Sequence, residues 1–405
     1  GTNTGQREAN PSVGICGGLP SGKNPVKTRI PVFQWVNAID HGTEMTALNS
    51  GLENAEKLST NIKFLWNYAG NCLTNQHGDI NYTHEVLSDE SKCEFILVWD
   101  TVMTDSAKYA DILLPDAMRA EQLNMYGNGY TEWYTGITVG GPAQAPAGEC
   151  RTSYDVAAEI ADKFGLKEQF TEGKTQEQWI EEIYTSTREE VLADFPDMPT
   201  FEEIKNNGPY KKPLPTAIGM KDFRDDPEAN PLETPSGKIE IYSERLAELA
   251  STWELPEGDV INPIPVFNPG FQGYGSVTEE FPLYGTGFHH KSRTHSSFGF
   301  IPELEQVARQ RAWINPADAE PRGIKNGDTV SVKSPAGEIR IEAYVTGRII
   351  PGTVAIPQGS WHKADMYGDK VDHGGCVNTL TTYHPTPLGK GNGPAHTFIV
   401  QVAKA

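Results

Sequence analysis

The period of the apolar positions changes several times along this chain, and each change predicts an element. Between residues 30 and 39 the apolar positions Val32, Trp35, Val36 and Ile39 keep the spacing of one helical face. Residues 62–68 read as a strand that runs into a polar loop over 70–79, and residues 81–87 suit a short helix. Phe95-Ile-Leu-Val-Trp99 is a continuous apolar run, the signature of a strand buried on both faces. In the Asp100-Thr-Val-Met-Thr-Asp105 stretch that follows, Thr104 or Asp105 is placed to cap a helix over 106–110. A third short strand, 111–115, is closed by proline. Strand, loop and helix repeated at this spacing predict an open parallel sheet. Such sheets take ligands outside the carboxyl ends of their strands, and Asn71 and Asp100 fall at that edge.

Two amphipathic helices are expected next, over 153–164 and 175–193, the second turning Trp179, Ile183 and Val191 to the core. Residues 195–282 are rich in proline and acids and read as a surface excursion with little regular structure. Its one strand-like piece is Lys238-Ile-Glu-Ile-Tyr242, after a turn at 234–237. From residue 283 the texture changes. Asn315 and Pro316 are set to open a short helix. Residues 329–333 and 338–345 alternate with period two around a turn at 335–337, and 353–356 is a further strand. Short strands with Gly/Pro turns and one short helix predict a small β-barrel. The chain is thus expected to form an α/β domain over 1–282, with an irregular first segment and the acidic excursion, and a barrel domain over 283–405.

Composition narrows the function classes. A net charge of −20 argues against nonspecific binding of nucleic acid or of anionic membrane surfaces. No apolar run approaches the length of a membrane-spanning helix. Five scattered cysteines, with no C-x-x-C spacing, show neither a zinc knuckle nor an iron–sulfur site and read as free thiols. No G-x-G-x-x-G fingerprint of a dinucleotide fold is present. The opening Gly1-Thr-Asn-Thr-Gly, without an initiator Met or signal peptide, is expected to be a cut inside a longer protein.

Against that acidic background one loop stands out. Residues 285–297 hold three of the ten histidines, His289, His290 and His295, together with Lys291, Arg293 and the hydroxyls of Ser292, Thr294, Ser296 and Ser297. No acid occurs between Glu280 and Glu303, and none after Asp372, where Asn378, His384, Lys390, Asn392 and His396 follow. Two such cation-rich segments in one domain predict a site for a phosphorylated or otherwise anionic ligand. A solvated turn whose histidines cap backbone groups is the plain alternative. A histidine metal site for a hydrolase is the other, though the spacing is not H-E-x-x-H and no glutamate lies nearby. Asp100 reads equally as a cap and as a ligand contact. Asn71 reads as a turn residue, His77 as a loop histidine bonded to backbone, Cys72 as a buried bystander, and Trp361 as packing against the barrel.

Several stretches together resemble one family. They are Gly1-Thr-Asn-Thr-Gly-Gln-Arg-Glu8, Trp66-Asn-Tyr-Ala-Gly-Asn71 with Asn75-Gln-His-Gly-Asp79, and Asp100-Thr-Val-Met-Thr104 leading to Ala110-Asp-Ile-Leu-Leu-Pro115. Gly287-Phe-His-His-Lys-Ser-Arg-Thr-His-Ser296, Trp313-Ile-Asn-Pro-Ala-Asp318, Gly374-Gly-Cys-Val-Asn-Thr-Leu-Thr381 and Pro387-Leu-Gly-Lys390 continue the likeness. The chain resembles the carboxy-terminal half of the catalytic A chain of anaerobic dimethyl sulfoxide reductases, in the dimethyl sulfoxide reductase family of molybdopterin oxidoreductases. The resemblance implies an α/β domain followed by a double-psi β-barrel that binds molybdopterin dinucleotide. It implies a bis(molybdopterin guanine dinucleotide) molybdenum cofactor, and removal of an oxygen atom from a sulfoxide or N-oxide in anaerobic respiration. By the same resemblance Asn71, Asp100, Thr104 and Asp111 would contact nucleotide from the α/β domain, and His289, Arg293, His295, Asn378 and Lys390 would contact cofactor from the barrel. The iron–sulfur cluster and the protein ligand to molybdenum are implied for an amino-terminal half, so this chain is expected to contribute no catalytic residue or metal ligand, to hold cofactor weakly and to be inactive alone. An iron–sulfur electron-transfer subunit, a membrane anchor subunit and a periplasmic or outer-face location are implied for the full-length protein. Selenate, nitrate or formate oxidoreductases of the family are the alternatives, formate being disfavoured by Gly70-Asn-Cys-Leu73.

Overall fold

The computed structural model describes residue 15 and residues 17–127, 134–213, 218–390 and 396–405. The Gly1 to Glu8 stretch, Cys16 and Asn392 lie outside the described residues. Two compact units emerge, one of Pro25–Leu114 with Tyr242–Ala405, the other of Gly1–Asn24 with Pro115–Ile241. The break expected at 282 therefore marks the start of the barrel strands but not the edge of a compact unit.

In the first unit, strands β1 (Phe64–Tyr68), β2 (Phe95–Asp100) and β3 (Ile112–Pro115) form one sheet in that order. β1 and β2 are parallel, with Phe64 opposite Phe95 and Tyr68 opposite Trp99. The apolar run of β2 is buried from Ile96 to Trp99, with Phe95 half-buried. Helices α1 (Trp35–Asp40), α2 (Cys72–Asn75) and α3 (Ile80–Leu87) supply Val36, Ile39, Leu73 and Val86 to a core shared with Ile96 and Val98. Two expectations are corrected here. The loop at 70–79 contains the single turn α2, and the helix at 106–110 is a tight 3-10 turn, Ser106–Tyr109. Asp105 holds the N-cap position without a side-chain cap bond, and Thr104, one residue earlier, satisfies the turn instead: its Oγ1 accepts from Ala107 N at 3.1 Å.

The second unit holds an antiparallel sheet of β4 (Asn124–Gly127), β5 (Tyr134–Gly140) and β6 (Tyr210–Pro213). Helices α4 (Ser153–Lys163), α5 (Gln176–Val191) and α6 (Phe201–Asn207) accompany it. The buried face of α5 is Trp179, Ile180, Tyr184 and Thr187, with Ile183 and Val191 only half-buried. The excursion after 195 is more regular than its proline and acid content implied. Thr200 and Glu203 close a capping box at the start of α6, and α7 (Glu244–Thr252), in the first unit, follows. Lys238–Tyr242 is not a strand. Ile239 and Ile241 are 70% and 74% exposed, because no strand among the described residues covers the alternating face.

Six strands close the barrel: β7 (Leu283–Phe288), β8 (Arg311–Ile314), β9 (Thr329–Lys333), β10 (Glu338–Val345), β11 (Thr353–Pro357) and β12 (Phe398–Lys404). Their order around the barrel is β10-β8-β11-β7-β12-β9, with β10–β8 and β11–β7 parallel and the other pairs antiparallel. The period-two residues Val330, Val332, Ile339 and Ile341 point inward to meet Ile314, Val354, Phe398 and Val400. Asn315 opens helix α8 (Pro316–Ala319) as read from sequence, accepting from Ala317 N at 2.9 Å. No helix among the described residues is long and apolar enough to cross a membrane.

Candidate functional site

The parallel pairing of β7 with β11 sets Phe288 opposite Pro357, so both strands leave the barrel at the same end. The histidine loop after β7 therefore lies beside Gln358-Gly-Ser-Trp361, anchored where Gln358 N donates to Phe288 O at 2.9 Å. Gln358 Nε2 stands 3.4 Å from His289 Nδ1 and 3.5 Å from His295 Nδ1, between two exposed imidazoles whose ring centroids are 5.7 Å apart. His295 adopts a left-handed φ of 51°. Gly359 faces it with φ 81°, and a Cβ there would sit 1.7 Å from His295 O, so only glycine lets the two loops approach this closely.

Arg293 braces the arrangement. Its Nε and Nη2 both donate to Gln358 O at 3.1 Å, and Nη2 also donates to Gln310 Oε1 at 2.6 Å. Gln310 in turn donates to Pro357 O and Gly375 O. Burial lowers the Arg293 pKa to about 10, which leaves the guanidinium charged at neutral pH. His290 is turned inward, its Nδ1 3.0 Å from Ser292 Oγ, and burial followed by the Arg293 charge pulls its pKa down. The three histidines thus do not converge on one point. Among the described residues, no three His, Cys, Asp or Glu side chains are grouped to hold a metal ion.

The last acid of the sequence organises the second cation-rich segment. Asp372 is fully buried; Oδ1 accepts from Lys363 N and Gly374 N, and Oδ2 from Cys376 N. This fixes the turn Val377–Thr379, whose Asn378 carbonyl accepts from Asp79 N at 3.0 Å. On the sheet side, Asn71 follows the end of β1. Its Oδ1 accepts from Ser106 N and Thr74 Oγ1, while its Nδ2 is buried without a hydrogen-bond partner among the described residues. Asn75 donates to Asp105 Oδ2, and the same oxygen accepts from His362 N at 2.6 Å, tying sheet loop to barrel loop inside one compact unit. Between them lies a cavity of about 390 Å³. Asn75 and Gln76 wall it from the sheet side, and His295, Ser296, Gln358 and Asn378 from the barrel side.

The expected residues divide accordingly. His295 and Asn378 face this cavity, with His289 and Arg293 joined to it through Gln358, and Asn71 lies behind Asn75 on the sheet side. Asp100 accepts from Thr101 N at 2.7 Å, a local turn contact. Thr104 is buried as a cap, and Asp111 Oδ2 accepts from Ile96 N at 2.7 Å. Lys390 is buried with Nζ 5.2 Å from the centre of the Trp253 ring, and burial lowers its pKa. Gln358, Gln310 and Asp372 escaped the sequence reading, although the position of Asp372 as the final acid was a usable signal. Trp361 packs as expected, donating to Ser296 O at 2.8 Å and leaning on Phe300. His77 is a buried histidine whose Nδ1 meets Gly78 O, with burial pulling its pKa down to about 4. Burial pushes the Cys72 thiol up to about 11.

Comparison with known proteins gives the site its context. Residues 283–398 match the molydopterin dinucleotide binding domain, and residues 11–163 match molybdopterin oxidoreductase. The putative dimethyl sulfoxide reductase chain YnfE of Escherichia coli strain K12 is 51% identical over 409 residues, covering 100% of this chain and 50% of the relative. Dimethyl sulfoxide reductase DmsA of the same strain is 49% identical, covering 100% and 49%. Trimethylamine-N-oxide reductase of Haemophilus influenzae is 31% identical, covering 96% and 48%. Acetylene hydratase from Pelobacter acetylenicus shares the fold, with a TM-score of 0.65 at 20% identity over 92% of this chain and 46% of that one. The chain spans about half the length of the curated relatives it matches. The carboxy-terminal placement implied by the resemblance is not upheld by these matches and is replaced by that share alone.

Proposed function

We propose that this chain belongs to the molybdopterin oxidoreductase family and forms part of the cofactor pocket of a reductase for sulfoxides or N-oxides. The observation that carries this reading is the cavity of about 390 Å³ at the barrel end, walled by amides, an imidazole and a hydroxyl. Its chemistry fits a pterin dinucleotide. A pyrophosphate calls for N–H and O–H donors, which the two imidazoles beside Gln358, Ser296 and the nearby Arg293 charge provide. A heterocycle rich in donors and acceptors calls for amides such as Asn75, Gln76 and Asn378. The unpartnered Nδ2 of Asn71 is a buried donor of the kind a ligand satisfies.

We assign the guanine form of the dinucleotide in a bis arrangement, and the double-psi class to the closed mixed barrel. His289, Arg293, His295, Asn378 and Lys390 serve the cofactor from the barrel; Asn71, Asp100, Thr104 and Asp111 serve it from the sheet edge. Asp100, exposed enough at its strand end to accept from a guanine, is the nucleotide contact of choice among them. When bound, the molybdenum centre supplies the two electrons that, with two protons, remove oxygen from the substrate. The residues of this chain bind and orient; Arg293 and Asp372 hold the loops that do so. In this reading the full-length protein works with an iron–sulfur electron-transfer subunit and a membrane anchor at the outer face of the cytoplasmic membrane.

Calorimetric titration of the chain with GDP, with ADP as control, tests the pocket. Saturable binding is expected, stronger for GDP and weakened about tenfold by Asn378→Ala or His295→Ala, the worth of one lost contact. Absence of binding, or equal binding by both variants, would overturn the assignment.

A further inference from the structure

A second and larger cavity of the same unit, about 610 Å³, is left over by this function. α3 contributes His84, the 3-10 turn contributes Lys108 and Tyr109, and the barrel segment 362–367 contributes His362 and Tyr367. Its rings meet at a corner: His84 lies edge-on to Tyr109 with centroids 5.9 Å apart, and to Tyr367 at 5.6 Å. Tyr109 OH and His84 Nδ1 are 3.2 Å apart, which fixes the corner. Tyr367 is 92% exposed, so a large ring is held in water at the rim. Carboxylates dominate the charge, with Glu90, Glu94, Asp105, Asp111 and Asp365 against Lys108 alone. Burial lowers the pKa of both His84 and His362, so the imidazoles add no positive charge at neutral pH.

Two buried polar atoms of its lining residues lack partners among the described residues. Asp105 is 3% exposed and its Oδ1 has none, although Oδ2 is bonded; His362 is 6% exposed and its Nε2 has none. Burial raises the Asp105 pKa, opposed by the hydrogen bond from His362 N and by the polar side chains of Thr74 and Asn71, because a buried carboxylate beside an uncharged imidazole is short of a positive neighbour. A compact metal ion does not suit the place, since among the described residues no three ligating side chains are grouped. An ion that spreads its charge over methyl groups sheds water more readily and is held by ring faces as well as by carboxylates.

We propose that this cavity is a receptor for a small alkylammonium ion, seated against Tyr109, Tyr367 and His84 with Asp105 as its deepest counter-charge. The cavity is distinct from the dinucleotide pocket, although Asp105 is bonded to Asn75 of that pocket's wall and Asp111 is shared with the nucleotide contacts.

Choline and its neutral isostere 3,3-dimethyl-1-butanol are the probes, titrated into the whole chain at constant ionic strength and followed by ligand-detected NMR. Choline is expected to bind saturably, and the alcohol at least about tenfold more weakly. Tyr367→Ala and Glu90→Gln, both at exposed positions, should weaken choline about tenfold while leaving the thermal midpoint and GDP affinity unchanged. Asp105→Asn should weaken choline more strongly. No saturable choline binding, equal binding of the alcohol, or wild-type affinity in the two rim variants would overturn the proposal. Loss of GDP binding with choline binding intact would instead count against the dinucleotide reading alone.

Discussion

Arg293 shows what a single side chain decides. Its planar fork reaches one carbonyl twice and an amide oxygen once, and a lysine reproduces neither angle. Arg293→Lys is expected to cost about 2 kcal/mol in chemical denaturation, because Gln310 Oε1 and Gln358 O lose a charged donor. His77 offers a pH test. Its folded pKa of about 4 lies below the ordinary 6.5, so the unfolded chain binds the proton first as pH falls. The stability His77 contributes is whole above pH 6.5 and is lost as pH drops toward 4, reaching a loss of about 2 kcal/mol near pH 5. Denaturation at pH 7 and pH 5 should show that difference, and His77→Phe should shrink it. Residue type made His289, Arg293 and His295 legible as donors. That Gln358 would sit between the imidazoles was not, since it arrives from 69 and 63 positions away.

Elements were legible where one physical cause dominated. The buried run of β2, the alternation of β9 and β10, and the Asn315-Pro316 start of α8 stand where the pattern put them. Failures came where local pattern and neighbours disagree. Lys238–Tyr242 alternates like a strand but has no strand to pair with, while α6 was signalled by its Thr200…Glu203 capping box beneath a proline-rich composition. Two substitutions test the packing of elements. A Cβ at Gly285 on β7 would lie 2.0 Å from the Phe398 ring of β12, so Gly285→Ala should lower stability by about 1–3 kcal/mol. Asn315→Ala removes a cap and a bond to Ile349 O, and should cost about 1 kcal/mol, read from the thermal midpoint.

For the whole molecule, each compact unit has its own core: Ile137, Tyr184 and Ile204 in one, and the barrel and sheet clusters in the other. Separate cores predict more than one transition in scanning calorimetry, and GDP should raise only the transition of the unit that holds the pocket. We expect the purified chain to hold molybdenum well below one atom per chain by elemental analysis, given that it spans about half of its relatives' length. By itself the sequence determined the classes of element, the switch from α/β texture to barrel at 283, and the donor-rich loop in an acidic chain. Those depend on periodicity, composition and residue chemistry, which are local properties. Only the tertiary structure decided that residues 25–114 join the barrel in one compact unit, that Arg293 and Asp372 brace loops, and that Thr104 caps a turn. The reason is physical: closing the barrel brings β7 and β11 side by side and burying Asp372 draws three backbone N–H groups to one carboxylate, and neither pairing leaves a trace in the spacing of residues along the chain.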